Sequence, residues 1–303
     1  MEKDNQLPLV SVIVPSYNHA EYIQENILSV VNQTYPNVQL IVVDDGSTDD
    51  SISILKKLQD NYDFELHLQA NKGLCSIVNH SHYSLAKGEY IIRIDSDDYM
   101  ELDRVETQVN MFLENPGLGL VYGTYTTVDK FSKELEVRSP SVNNVNQLND
   151  LLYGKTEIHI CTIMHTKKAF DAIYPIPNTL LPDLYLKLMI VSGFKCLGTQ
   201  KKMSFYRTHG ENHSDLKNMN VLVDSSFEIL TRFCNEKELD AKSVMAFSFT
   251  QYFKGLSAYH KRKSLKFLIG SSPKYYDKSF FIAMLRFLTP VRLYEFLRNR
   301  FAS

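Results

Sequence analysis

Across its first hundred residues this 303-residue chain alternates strand-like and helix-like segments, and the strands run into polar loops. Residues 9–14, Leu-Val-Ser-Val-Ile-Val, read as a buried strand that Pro15 ends. Asn18 followed by Glu21 reads as an N-cap with its capping-box acid, and Ile23, Ile27, Val30 and Val31 then recur at helical spacing. A second strand, residues 38–43, closes in Asp44-Asp45-Gly46-Ser47-Thr48-Asp49-Asp50, where Ser47 or Thr48 is placed to cap a helix carrying Ile52, Leu55 and Leu58. Residues 64–68 make a third strand. A helix over about 74–86 stops at Lys87-Gly88, and an Ile-rich strand follows at 90–94. Strands this continuously apolar, separated by helices, predict a mostly parallel central sheet covered on both faces.

Ligands of such sheets bind outside the carboxyl ends of the strands. Three polar loops lie at those ends: Pro15-Ser16-Tyr17-Asn18, Asp44-Asp45-Gly46-Ser47 and Asp95-Ser96-Asp97-Asp98. If the fourth strand continues, Asp95 and Asp97 share one face, and two carboxylates side by side call for a cation between them. Mg²⁺ or Mn²⁺ suits oxygen ligands of that kind and commonly bridges to phosphates. The other reading is an acidic turn leading into the next helix. Tyr17 offers an aromatic face to a base or sugar ring, or packs on the sheet edge. Asp45 offers an acceptor to base N–H or ribose hydroxyl groups, whereas Asp44 reads as a turn-former. Together the loops describe a nucleotide-diphosphate pocket. There is no G-x-G-x-x-G after the first strand and no Walker lysine loop, which argues against dinucleotide and ATP-hydrolysing sites.

The segments Val-Ile-Val-Pro-Ser-Tyr-Asn (12–18), Asn-Gln-Thr-Tyr (32–35), Val-Val-Asp-Asp-Gly-Ser-Thr-Asp (42–49), Asn-Lys-Gly (71–73) and Lys-Gly-Glu-Tyr-Ile through Asp-Ser-Asp-Asp (87–98) share content, order and spacing with one family. They resemble the inverting family-two glycosyltransferases of the GT-A fold, most densely over residues 9–125. The likeness resumes at Tyr-Arg-Thr-His-Gly-Glu-Asn-His-Ser (206–214). The resemblance implies transfer of a sugar, usually from a UDP-linked donor, with inversion at the anomeric carbon. It implies that Pro15, Tyr17 and Asp45 hold the nucleoside, that Asp95 meets the ribose or a metal-bound water, and that Asp97 ligates Mg²⁺ or Mn²⁺. It further implies that Asp98 orients the loop or sugar, and that His209 and Arg207 meet the metal or diphosphate. Relatives carry an acidic pair before a Leu-x-Leu-Arg/Lys-Leu helix. Here the sequence is Leu181-Pro182-Asp183-Leu184-Tyr185-Leu186-Lys187-Leu188, so Asp183 is the candidate base, although the usual base aligns nearer Leu181. The alternative is that Asp183 with Pro182 only starts the helix. Val78 stands where relatives often have a diphosphate-binding arginine; Arg93 or Lys72 is the candidate substitute.

A nucleotide-binding half over 1–100, an acceptor half over 101–215 and a helical extension over 216–303 are expected. In the second part, residues 102–113 read as a helix and residues 118–122 and 158–163 as strands; 139–149 suits a mobile acceptor loop, and His159 and His165 read as packing residues. The last 44 residues hold ten basic side chains against Asp277 and Glu295, interleaved with Phe and Leu. That pattern fits peripheral contact with anionic lipid, or helices packed on the catalytic half with a solvated basic face. A glycan or lipid-linked acceptor follows from the resemblance, and oligomers are compatible with it. The formal net charge of -2 gives no case for nucleic-acid binding. Four scattered cysteines without a CxxC pair, a polar first segment and no long apolar run together lead to the expectation of a cytoplasmic protein, at most peripheral at the inner face of the membrane. A nucleotidyltransferase would need a glycine-rich basic first loop where Pro15-Ser16-Tyr17-Asn18 stands. A binding protein without catalysis is the non-enzyme alternative, supported by the missing acidic pair.

Overall fold

The computed structural model describes residues 7–141, 147–209, 219–256 and 261–288. The chain divides into two compact units, Met1–Leu222 and Val223–Ser303.

In the first unit, β1 (Val10–Ser16), β2 (Val38–Asp44), β3 (Glu65–Leu68) and β4 (Tyr90–Arg93) pair in parallel in the order β3-β2-β1-β4. β1 is buried along its whole length, as a central strand covered on both faces must be. Side chains alternate as a strand requires. Val10, Val12 and Val14 pack with Ile23, Ile27 and Val30 of α1 (Ile23–Val31) on one face. Ile13 packs with Ile41, Ile77 and Ile91 on the other.

Pro15 lies inside β1 and does not end it. Ile13 turns its backbone toward β4, where its carbonyl accepts from the Ile94 N–H, so Pro15 faces the same way. β4 pairs only as far as Ile13↔Arg93, so the absent N–H of Pro15 removes no ladder bond. Asn18 is likewise no helix cap: its φ is 54°, its side chain accepts from the Thr48 N–H at 2.8 Å, and α1 begins only at Ile23. Neither Ser47 nor Thr48 caps α2 (Ser51–Gln59); Asp49 accepts the Ser51 N–H instead. The helix expected over 74–86 is α3 (Leu74–His80) followed by one wider turn to Leu85. Gly88 is required by proximity: a β-carbon there would stand 2.6 Å from the Ser11 nitrogen.

Beyond β4 the sheet is mixed. After the short β5 (Tyr99–Met100) and α4 (Arg104–Glu114) come β6 (Leu118–Asp129), β7 (Glu134–Arg138), α5 (Gln147–Leu152), β8 (Met164–Thr166), α6 (Lys167–Asp171), α7 (Pro182–Gly193) and β9 (Lys195–Thr208). The path continues β4-β8-β6-β9-β5, with β8 antiparallel to both neighbours, β6 parallel to β9, and β7 hung on β6. The expected strand over 158–163 is replaced by a tight helical turn, Ile160–Thr162, with β8 just after it. The loop expected over 139–149 runs into α5, and residues 142–146 lie outside the described ones.

The second unit holds α8 (Met219–Glu236) from Val223 on, α9 (Ala241–Leu256), α10 (Lys261–Gly270) and α11 (Lys278–Leu288). It has an aromatic core of its own. Phe227 packs with Phe249 and Phe267, and Phe253 packs with Phe280. Phe281, Leu285 and Leu288 of α11 remain exposed. Of the basic tail residues, those at 292, 298 and 300 lie outside the described ones, as do residues 210–214 of the second motif. Among the described residues no helix is long and apolar enough to cross a membrane.

Candidate active site

The three polar loops do converge. Ser47 Oγ accepts the Asn18 N–H at 2.9 Å, tying the first loop to the second. His19 Nδ1 lies 2.7 Å from Ser96 Oγ, tying the first to the third. The third loop is a turn, not a strand end: β4 stops at Arg93, and the Asp98 N–H donates back to the Asp95 carbonyl. Asp95 and Asp97 are therefore not presented on one strand face. The turn aims Asp97 toward His19 and His209 while Asp95 turns to Arg93. Asn26, 1% exposed, fixes it by donating to the Asp95 and Asp98 carbonyls at 2.9 and 2.8 Å.

His209 Nε2 lies 3.1 Å from Asp97 Oδ2, and one ligand atom from each of His19, Asp97 and His209 falls within 4.8 Å of the others. Two imidazoles and a carboxylate at that spacing fit a divalent cation. Burial opposes the charge on Asp97, but the His209 hydrogen bond and the field of His19 hold its carboxyl below the ordinary range. Asp98 goes the other way. Burial and the neighbouring Asp97 and Asp95 push it well above that range, and one of its oxygens accepts the Arg207 backbone N–H at 2.9 Å.

Arg207, expected at the diphosphate, is instead 1% exposed, and its guanidinium is occupied within the protein. It donates to the Asp97 carbonyl at 2.8 Å, to Ser132 Oγ at 3.0 Å and to the Glu25 carboxylate, and it lies over the Tyr22 ring at 4.7 Å. Its geometry is that of a clamp on the acidic turn. Arg93 is also not presented to a donor phosphate. Buried at 4%, it grips both oxygens of Asp183 at 2.5 and 2.9 Å and reaches Asp95 at 3.3 Å. Burial opposes its charge, and Asp183 and Asp95 more than restore it.

The Asp95 side chain keeps 35% of its surface accessible, yet the protein crowded around it, together with Asp183 and Asp97, outweighs Arg93 and raises its carboxyl to about 6. Asp183 stands in the first turn of α7, after Pro182 at the helix start. Tyr17, just past the carboxyl end of β1, is 45% exposed. Asp45 is buried and accepts from Gln69 Nε2 at 2.7 Å and from the Lys72 and Gly73 N–H groups at 2.9 and 2.8 Å. It thus fastens the 69–73 loop against β2. The Lys72 side chain itself is exposed. Asp44 holds Ser47 through its N–H and hydroxyl, the turn-forming role expected.

Residue-by-residue reading missed His19, Asn26 and Glu25. His19 had a signal, since it follows Tyr17 in a loop already singled out. Glu25 and Asn26 sit within a helical pattern, and only the folded turn gives them partners.

A curled mixed sheet flanked by helices, with an acidic turn at the strand ends, is the GT-A arrangement of glycosyltransferases. The structure superposes on S. aureus TarS 1–349 in complex with UDP-GlcNAc with a TM-score of 0.67 at 18% identity, covering 96% of this chain and 92% of that one. A mannosyltransferase from Pyrobaculum calidifontis in complex with GDP-Man and Mn²⁺ gives 0.57 at 14% identity, covering 99% and 89%. Residues 11–173 match the sequence profile of Glycosyl transferase family 2, and the chain belongs to that family. A chondroitin synthase of Escherichia coli is 31% identical over 236 residues, 74% of this chain and 32% of that protein. A hyaluronan synthase of Pasteurella multocida is 30% identical over 237 residues, 77% of this chain and 24% of that protein. The chain thus spans about a quarter to a third of the length of these relatives.

Proposed function

We propose that the protein transfers a sugar, with inversion, from a UDP-linked donor to a hydroxyl of a glycan or lipid-linked acceptor, assisted by a divalent cation. The observation that carries this reading is the His19–Asp97–His209 cluster in a family-two GT-A unit, with Tyr17 exposed two residues before His19. Asp97, His209 and His19 would hold the cation, and their nitrogen-rich donor set favours Mn²⁺ over Mg²⁺. When bound, the cation would neutralise charge on the departing diphosphate.

The rest falls to the chain's own residues. Tyr17 stacks on the uracil, while Pro15 and Asp45 shape the nucleoside side and Asp45 holds the loop bearing Lys72. Arg207 and Asp98 keep the acidic turn in place. The acceptor oxygen attacks the anomeric carbon as the bond to the diphosphate breaks, and Asp183 takes the hydroxyl proton. Arg93 holds Asp183 oriented, and a carboxylate so held still has lone pairs open toward an acceptor. The exposed Phe281, Leu285 and Leu288 beside Lys278 and Arg286 support peripheral contact with anionic lipid through the second unit.

A second reading, nucleotide-sugar binding without transfer, is favoured by the hydrocarbon at Leu181 and by the full engagement of Asp183 with Arg93. Calorimetry with UDP and UDP-sugars, with and without Mn²⁺, tests the donor half of the proposal. Affinity should rise with Mn²⁺ in the wild type and lose that dependence in Asp97→Ala. Metal-independent affinity in both proteins would overturn it. Mass-spectrometric detection of a transferred sugar separates transfer from binding.

A further inference from the structure

One helical turn from Asp183, the same face of α7 presents Lys187 to a cavity of about 670 Å³. The cavity lies wholly within the first unit. Its floor and walls come from four separate places: Ser139 to Ser141 after β7, the stretch from Leu151 of α5 to Ile158, Lys187 of α7 and Gln200 of β9. The Thr156 and Gln200 side chains each donate to a backbone carbonyl, at Ser141 and Pro140, which fixes the walls.

The charge arrangement inside is uneven. Two ammonium groups, Lys155 and Lys187, and one carboxylate, Glu157, line the cavity. Lys155 lies 3.7 Å from Asp150. Glu157 accepts the Tyr125 hydroxyl at 2.9 Å. Asp183, the other carboxylate near Lys187, is held by Arg93. Among the described residues no hydrogen bond or ion pair reaches the Lys187 amine. It lies deep enough that burial lowers its proton affinity, with Asp183 and Glu157 opposing that from beyond contact distance. A recessed cation whose acidic neighbours all have other partners carries a desolvation penalty that only an incoming anion relieves.

We propose that this cavity is an acceptor subsite selective for an anionic group, a sugar carboxylate or a phosphate, which Lys187 receives. The subsite rests on the glycosyltransferase reading, since Asp183 one turn away fixes where the reacting hydroxyl must stand. The β-carbons of residues 183 and 187 are about 5–6 Å apart, roughly the span of one sugar ring, so the anionic group belongs to the reacting sugar or its immediate neighbour.

The test uses the full-length protein with UDP and Mn²⁺ present and follows three probes by saturation-transfer NMR and titration: p-nitrophenyl β-D-glucuronide, p-nitrophenyl β-D-glucoside and glucose 6-phosphate. The glucuronide and glucoside differ only at one carboxylate. At least one anionic probe should bind about tenfold or more tightly than the glucoside. Lys187→Met, which keeps the aliphatic stem, should abolish that preference, and Lys187→Arg should restore part of it. Whether glucuronide or phosphate gains the advantage tells the two anion sources apart. Equal binding of all three probes, no detectable binding of either anionic probe, or a preference that survives in Lys187→Met would each overturn the proposal. UDP affinity recorded in the same samples separates this failure from failure of the donor reading: a wild type that does not bind UDP fails upstream, whereas intact UDP binding with an indifferent cavity fails here.

Discussion

At the strand ends that carry Tyr17 and Asp97, the carboxylates Asp44, Asp45, Asp97 and Asp98 each accept a hydrogen bond from a residue distant in sequence. Across Arg93, where β9 and α7 form the other wall, the Lys187 ammonium meets no such partner among the described residues. The first side resembles a finished mould, in which Asn26, Arg207 and Asp45 hold the loops before any ligand arrives. On the second the Arg93–Asp183 pair and the Thr156 and Gln200 hydrogen bonds fix the walls, but the cation they surround is left unmatched. A site preorganised for the donor and incomplete without its acceptor implies that substitutions on the two sides should separate donor affinity from turnover.

The strongest challenge to that contrast is Asp183→Asn. Loss of a positioned base lowers turnover by about 10²–10⁴-fold. Transfer should fall by that much while UDP-sugar affinity stays near wild type, because a base in the proposed mechanism meets the acceptor and not the nucleotide. Wild-type turnover would remove Asp183 as base. Lost folding together with lost donor affinity would make it a structural partner of Arg93, since removing one member of a buried pair is itself destabilising.

On the donor side the comparable intervention is Arg207→Met. It leaves Glu25, Ser132 and the Asp97 carbonyl without their shared donor, while the backbone N–H that Asp98 accepts remains. Breaking a buried pair commonly costs about 3–5 kcal/mol, but Glu25 is 44% exposed and regains water, so about 2–3 kcal/mol is expected in denaturant unfolding. Mn²⁺-dependent UDP affinity should weaken along with it. Unchanged stability would show that the acidic turn does not need its clamp.

The junction between the two sides is read through histidines. His165 of β8 stacks on His82, and burial lowers it to about 4; His159, between Tyr125 and Tyr206, is lowered by burial to about 3. An unfolded histidine titrates near 6.5, so below that pH the unfolded chain binds protons first. The stabilisation is full above about 6.5 and declines as pH falls toward 4, by up to about 1.4 kcal/mol per pH unit for each histidine. Asp95, raised to about 6, acts in the opposite sense between about 6 and 4. The comparison is therefore wild type against His165→Gln, whose stability should fall less steeply with acid. Parallel pH profiles would refute the assignment.

How far these features were legible beforehand follows from sequence distance. The loops bearing Tyr17, Asp45 and Asp97 each follow a continuous apolar strand, so local pattern places them. β9 was invisible in that way. Its 14 residues include Gln200, Lys201 and Lys202 in the middle and become a strand by pairing with β6, far back in the chain. The same reason hid Arg207. Its place in a familiar motif suggested a phosphate ligand, and only the pairing of β9 with β5 carries it beneath Asp97 and Asp98 to meet Glu25. In the sequence Lys187 is only the basic position of a Leu-x-Leu-Lys-Leu helix, and it gains its interest from a cavity whose walls come from four separated segments.

The smallest expected effect tests the donor side at its most exposed point. Tyr17, at 45% exposure, is not part of the packed core, so Tyr17→Ala should leave the unfolding midpoint nearly unchanged. If the ring stacks on uracil, its removal should weaken uridine and UDP alike, because a stacking contact does not depend on the metal. Aromatic–base stacking contributes about 1–3 kcal/mol, so roughly a tenfold loss of affinity is expected, equal with and without Mn²⁺. Tyr17→Phe should bind as the wild type does, since the ring face and not the hydroxyl makes the contact. A loss confined to the Mn²⁺ condition would move Tyr17 from the nucleoside to the diphosphate. A lowered unfolding midpoint with unaltered uridine affinity would mean that the ring packs on the sheet edge, and the preformed donor site would then end at Asp45.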